Sequence, residues 1–187
     1  MKAKLIEQSL LLFEKQGFAE TSIQEIVEAC QVTKGTFYYY FKSKAELLYD
    51  IQLDYINDVI REQTVILSSS DESQQKIKRM ISLLIEKIKS DGPNARIFFR
   101  EMRHLPEEDL KVILEKRDQI RLNLGLVVKE GLESGKFVSH LHPDFVTFAI
   151  LGMCNWSYSW FDPKGPEPEE TLIQTYVDLL LNGMLPR

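Results

Sequence analysis

Apolar positions at the start of the chain recur at helical intervals. Ala3, Ile6, Leu10 and Phe13 fall at i, i+3, i+7 and i+10, the stripe of an amphipathic helix, and Gly17 predicts its end. Ser22 and Glu25 carry the spacing of a capping box ahead of Ile23, Ile26, Val27 and Cys30, which predicts a second helix. After a turn of three or four residues, Thr33 is placed to cap a short third helix over 34–40. Ser43 with Glu46 repeats the box at the start of a fourth. No Gly or Pro lies between Gly35 and Gly92, so the fourth helix is predicted over about 44–66, up to the polar break Ser68-Ser69-Ser70-Asp71.

The pattern then changes width. Ile77, Met80, Ile81, Leu83, Leu84, Ile85 and Ile88 make the predicted helix over 73–89 apolar beyond one face, which expects neighbours on several sides. Asp91-Gly92-Pro93 predicts a break, 94–104 a short helix, and Pro106 the start of a long one that Gly131 and Gly135 end. Pro143 opens an aromatic, uncharged helix, 162–166 reads as a loop, and 168–182 as the last helix. The expected fold is all-α, with nine helices and no strand.

Composition agrees with this reading and narrows the function. With 44% hydrophobic and 27% charged residues the 187-residue chain is globular, not disordered, and its 9 Gly and 7 Pro are too few for the frequent turns of a sandwich or barrel. The net charge of −5 excludes a general polyanion binder, so any nucleic-acid surface must be local. Cys30 and Cys154 sit at helical spacing among apolar residues with no metal pattern, and read as buried thiols of a reducing compartment. Lys2 and Lys4 are not followed by an apolar run or cleavage pattern, so a cytoplasmic protein is expected. The uncharged stretch 145–161 contains Thr147, Asn155, Ser157 and Ser159 and barely reaches membrane-spanning length. A helix buried in protein or at a subunit interface is expected there, with no membrane partner.

A capped second helix, a tight turn and a short third helix outline a helix-turn-helix. From Thr33 to Lys44 there are three lysines, no acid, and hydroxyls at positions 33, 36, 38, 39, 40 and 43, the chemistry that bonds phosphate oxygens and enters a groove. Phe37 and Phe41 at i, i+4 should anchor this helix while Tyr38 and Tyr39 point elsewhere. Four neighbouring aromatics on so short a helix cannot all be buried, which sets this segment apart from a solvated charge run. The stretch from Gly17 to Leu48, above all Val32-Thr33-Lys34-Gly35-Thr36-Phe37-Tyr38 and Phe41-Lys42-Ser43-Lys44-Ala45-Glu46-Leu47-Leu48, resembles the DNA-binding domain of the TetR family of bacterial repressors. The resemblance implies Ser22, Thr33, Tyr38 and Lys44 on phosphates of double-stranded operator DNA, and Lys34, Gly35, Thr36 and Tyr39 in or near the major groove. Tyr39 and Tyr40 stand where many relatives carry a His. The implied organisation is a helix-turn-helix domain over 1–46 and a helical effector-binding and dimerisation domain over 47–187, homodimeric through the last two helices.

In the second region Leu110, Ile113, Arg117, Ile120, Leu124, Val127 and Gly131 keep one seam, which Arg117 interrupts; it must find a partner, reach water or meet an anionic ligand. Arg96, Arg100 and Arg103 form a basic stripe beside Phe99, suited to an amphipathic anion or to ion pairs with Glu101, Glu107 or Glu108. The run Leu151 to Gly165, with Asn155-Trp156, Trp160-Phe161 and the Pro163/Gly165 loop, resembles TetR regulators of fatty-acid metabolism that respond to acyl-CoA. A small hydrophobic effector of long-chain acyl-CoA type is therefore expected, and no cofactor. On this reading Arg96, Phe99, Arg100, Arg103, Arg117, Asn155, Trp156 and Trp160 meet the effector, although Asn155 also fits a satisfied core amide. His140 and His142 fall short of a metal site, and no catalytic motif is present, so no enzyme is expected. The alternatives are a TetR-type regulator of efflux or stress genes that answers a neutral or cationic compound, an all-helical enzyme, and a helical adaptor.

Overall fold

A computed structural model of the chain describes residues 1–90 and 92–184. Among these are nine α-helices and no strand: α1 (Lys2–Gln16), α2 (Ile23–Cys30), α3 (Lys34–Tyr40), α4 (Lys44–Leu67), α5 (Ser73–Ser90), α6 (Gly92–Glu101), α7 (Glu107–Glu133), α8 (Pro143–Trp156) and α9 (Glu169–Met184). Short 3-10 turns at Met102–His104 and Ser157–Ser159 follow α6 and α8. Of the break expected at Asp91-Gly92-Pro93, Asp91 lies outside the described residues, and Gly92 and Pro93 are already the first turn of α6.

Local chemistry sets most of these boundaries. Gly17, at φ +87°, ends α1 in a backbone region that a side chain would strain, and its N–H returns to the Phe13 carbonyl. Ser22 and Glu25 form a complete capping box at α2. The exit from α2 is less predictable, because Gln31 takes the left-handed conformation at φ 57° with no glycine present, at a cost of about 1–2 kcal/mol. At α4 the expected box is displaced by one residue: Ser43 Oγ accepts from the Glu46 N–H at 3.1 Å, while the Glu46 carboxylate accepts from the Lys42 N–H.

The chain forms two compact units. The first comprises Met1–Ile56 with Pro93–Glu115. Its interior holds Leu5, Phe13, Ile26, Val27, Phe37, Phe41, Leu47 and Leu48, and α6 adds Ala95, Ile97 and Phe98. Phe98 packs on Tyr55 at 5.1 Å between ring centroids, and His104 on Phe18 at 5.2 Å.

The second unit comprises Asn57–Gly92 with Lys116–Arg187. Here α5 lies against α8 and α9, as its wide stripe requires. Ile77, Met80, Ile81, Ile85 and Ile88 meet Leu124 and Val127 of α7, Ile150 and Cys154 of α8, and Val177 and Leu181 of α9 in one buried cluster. The buried Asn123 donates to the buried Gln63 at 3.1 Å and accepts from the exposed Gln119 at 2.7 Å, so α4 and α7 are held in register by a buried amide pair. Burial pushes the Cys154 thiol up to about 12, which makes it an inert small hydrophobe.

The end of α7 is shaped by a close approach. A Cβ on Gly131 would stand 2.1 Å from the buried Phe137 ring, whose backbone N–H also donates to the Gly131 carbonyl at 2.9 Å. Gly131→Ala is expected to destabilise the fold by about 1–3 kcal/mol through overpacking, despite the better helix propensity of alanine, as read from urea unfolding.

Candidate nucleic-acid interface

The α2–turn–α3 segment is held from beneath by its apolar side chains. Phe37 and Phe41 are fully buried, and their rings lie 5.7 Å apart. Because they occupy i and i+4, the other side of α3 faces solvent with Lys34, Gly35, Tyr38 and Tyr39 exposed; Tyr39 is 80% accessible. The half-buried Tyr40 ring meets Tyr39 edge-on at 4.9 Å and limits where the outer tyrosine can point.

Thr33 caps α3, accepting from the Thr36 N–H at 3.2 Å, and the two hydroxyls share a further hydrogen bond of 3.2 Å. A Cβ on Gly35 would meet only Thr33 Oγ1, at an ordinary 3.5 Å. The fold itself therefore accommodates a side chain there, and its absence leaves the helix start open to an outside surface. Ser22 is exposed at the start of α2, its Oγ accepting from the Glu25 N–H at 3.2 Å. The Ser22 N–H and the Gln16 amide, donating at 2.7 and 3.1 Å, hold the Glu25 carboxyl down at about 2.

Lys44 is placed differently from the other expected phosphate contacts. Its ammonium turns into the unit and donates to the carbonyls of Phe18, Ala19 and Thr21, above the Phe18 ring at 4.3 Å. Burial lowers its pKa from the usual lysine value. Sequence reading missed this, and also missed the Lys4 ammonium, which donates to the Cys30 carbonyl at 2.9 Å and so closes the end of α2. Both contacts join residues 23 or more apart, for which spacing carries no signal.

The expected effector residues fall into two groups that belong to different units. In the first unit Arg96 forms an ion pair with Glu14 of α1, not with any of the three acids nearer in sequence. Arg96 and the exposed Arg100 line a hollow of about 260 Å³ with Phe13, Glu14, Gln16 and Glu101. Phe99 is half-buried against Phe98, and the exposed Arg103 donates to His104 at 3.4 Å.

In the second unit Arg117 lies on the exposed side of α7, where partial burial of its guanidinium lowers its pKa from the usual arginine value. Asn155 is half-buried. Trp156 and Trp160 are 65% and 53% exposed, so they stand on a surface and do not line the core. The reason lies in the helix period: Ile150, Leu151, Cys154 and Ser157 take the inward face, and Phe145, Phe148, Gly152 and Trp156 are left outside. Leu179 and Gly183 are exposed on α9 in the same way. No helix among the described residues is long and apolar enough to cross a membrane, and no group of three or more potential metal ligands occurs among them.

Comparison with known proteins covers both regions. Residues 5–51 match the family model described as bacterial regulatory proteins, tetR family, and residues 70–184 match the one described as tetracyclin repressor-like, C-terminal domain. The HTH-type transcriptional repressor KstR2 of Rhodococcus jostii is 22% identical over 98% of this chain and 90% of its own length. Among solved structures, the TetR family transcriptional regulator PfmR from Thermus thermophilus aligns with a TM-score of 0.90 and 27% identity, over 98% of this chain and 99% of its own. AibR in complex with isovaleryl coenzyme A and operator DNA aligns with a TM-score of 0.87 and 22% identity, over 96% and 97% of the two chains.

Proposed function

Because the chain belongs to the TetR family of bacterial regulatory proteins, a family of DNA-binding transcription regulators and not of enzymes, we propose that it is a cytoplasmic repressor released from its operator by a hydrophobic effector. The observation that carries this reading is the acid-free outer face of α3, with Lys34, Gly35, Tyr38 and Tyr39 exposed above a fully buried Phe37. Lysine neutralises phosphate, the hydroxyls of Ser22, Thr33 and Tyr38 bond phosphate oxygens, and Tyr39 beside Thr36 meets base edges in the major groove.

Two copies act together. Phe145, Phe148 and Trp156 on the outward side of α8 and Leu179 on α9 are exposed apolar side chains of the kind that a second copy would cover. A two-fold dimer calls for a palindromic operator.

For the effector we infer a fatty acyl-CoA that controls genes of fatty-acid metabolism. Support comes from the resemblance over Asn155-Trp156 and Trp160-Phe161, and from a scaffold of the same fold that holds isovaleryl coenzyme A in AibR. The apolar interior of the second unit suits an acyl chain, and Arg117 of the same unit suits phosphates.

Three outcomes are expected. Tyr39→Ala should weaken binding to a duplex selected by the wild-type protein by about 1–3 kcal/mol while the circular dichroism spectrum is unchanged; unaltered affinity would remove Tyr39 from the interface. Gly152→Arg adds a charge where nothing lies within 4 Å in the protomer, so sedimentation should show a folded monomer, and an intact dimer would exclude this face. Acyl-CoAs of increasing length should release the duplex with affinity that rises by up to about 0.8 kcal/mol per methylene and then stops. If no acyl-CoA shifts DNA binding in fluorescence anisotropy while free CoA is also silent, the effector is a neutral or cationic hydrophobic compound.

A further inference from the structure

The hollow walled by α1 and α6 carries charge that the fold does not use up. Phe13 and Ile97, both 2% exposed, lie at its base, and its wall sets the cations Lys15, Arg96 and Arg100 against the acids Glu14 and Glu101. Both acids are engaged: Glu14 pairs with Arg96, and Glu101 meets His104 at 3.3 Å. Lys15 and Arg100 are exposed, and neither has an ion-pair or hydrogen-bond partner among the described residues. Arg96 and Arg100 stand at i and i+4, so their guanidinium groups leave α6 on one side, and the Glu14 contact engages one nitrogen of Arg96.

Size and place separate this hollow from the apolar interior. At about 260 Å³ it is smaller than the roughly 300–1,000 Å³ of a drug-sized ligand site. It belongs to the first unit, whereas the cluster of Ile77, Ile150 and Val177 belongs to the second.

We propose that the hollow is a binding site for a small oxyanion, a phosphate or a di- or tricarboxylate, held by Arg96, Arg100 and Lys15. A guanidinium fork donates to two oxygens of such an anion at once, and a lysine ammonium on its flexible stem adds a further donor. The bound anion bridges α1 and α6 and adds to the tie between Arg96 and Glu14. The site stands whether or not the second unit takes an acyl-CoA.

The experiment uses the full-length protein and follows thermal melting with inorganic phosphate, citrate and free CoA as separate probes, the ionic strength being held constant with sodium chloride. Phosphate and citrate should raise the melting temperature along a curve that saturates by about 10 mM, as mass action at a millimolar dissociation constant requires. Exclusion of these ions from protein surfaces also stabilises, but without saturation and equally in every variant. Arg100→Gln should weaken the saturable effect at least about tenfold, and Lys15→Gln should weaken it less. Arg100→Lys keeps the charge and loses the fork, so it should fall between Arg100→Gln and the wild type. Arg103→Gln removes an exposed cation of the same segment that lies outside the hollow, and should leave the curve unchanged. The replaced side chains are exposed, so all four variants are expected to fold.

Three results overturn the proposal: no saturable effect of phosphate or citrate, a wild-type curve in Arg100→Gln, or an equal loss in Arg100→Gln and Arg103→Gln. A saturable effect of CoA alone, lost in Arg100→Gln, assigns the arginine to a coenzyme phosphate and overturns the small-anion site as well.

Discussion

Burial of Phe37 and Phe41 is the constraint from which the candidate interface follows. A seven-residue helix is far too short to persist by its own hydrogen bonds, so α3 exists because its apolar side is packed. Each buried phenylalanine contributes roughly 1.5–3 kcal/mol relative to an exposed one. Once these two rings are inward, the helix period leaves Tyr38 and Tyr39 no place but the surface. The candidate face is thus the complement of the buried one, and its orientation is set by the packing beneath it.

The same division governs α8 with a different result. Its inner side is used by the second unit's core, through Ile150, Leu151 and Cys154, and its outer side is apolar as well. On the proposed reading a second copy covers that outer side, where Phe145, Phe148 and Trp156 are exposed. Gly152, with open space around it, keeps that outer side low at its middle.

Charged side chains make several long connections. Arg96 reaches Glu14, Lys87 reaches Asp58 and Glu62, Lys4 reaches the Cys30 carbonyl, and Lys44 reaches three carbonyls of the α1–α2 connection. Partly exposed ion pairs of this kind contribute modestly to stability, so their value lies more in fixing one arrangement of helices than in its free energy. Arg96 illustrates this: its guanidinium ties α6 to Glu14 of α1.

The helices, their caps and the helix-turn-helix were legible in the sequence because they are local. The Ser22–Glu25 box, the Thr33 cap, the stop at Gly17 and the spacing of Phe37 and Phe41 all act within a few residues and need no knowledge of the rest of the chain. The periodicity of α5 likewise announced a helix with many neighbours. What the sequence left open was which neighbour each long side chain would choose. That Arg96 pairs with Glu14, that Lys44 turns inward, that Arg117 reaches the exposed side of α7 and that Trp156 and Trp160 face out were decided only by the tertiary structure. A helical face is determined by spacing along the chain, but the partner of a flexible charged side chain, or the side of an all-apolar helix that remains uncovered, depends on which distant segments fold against it.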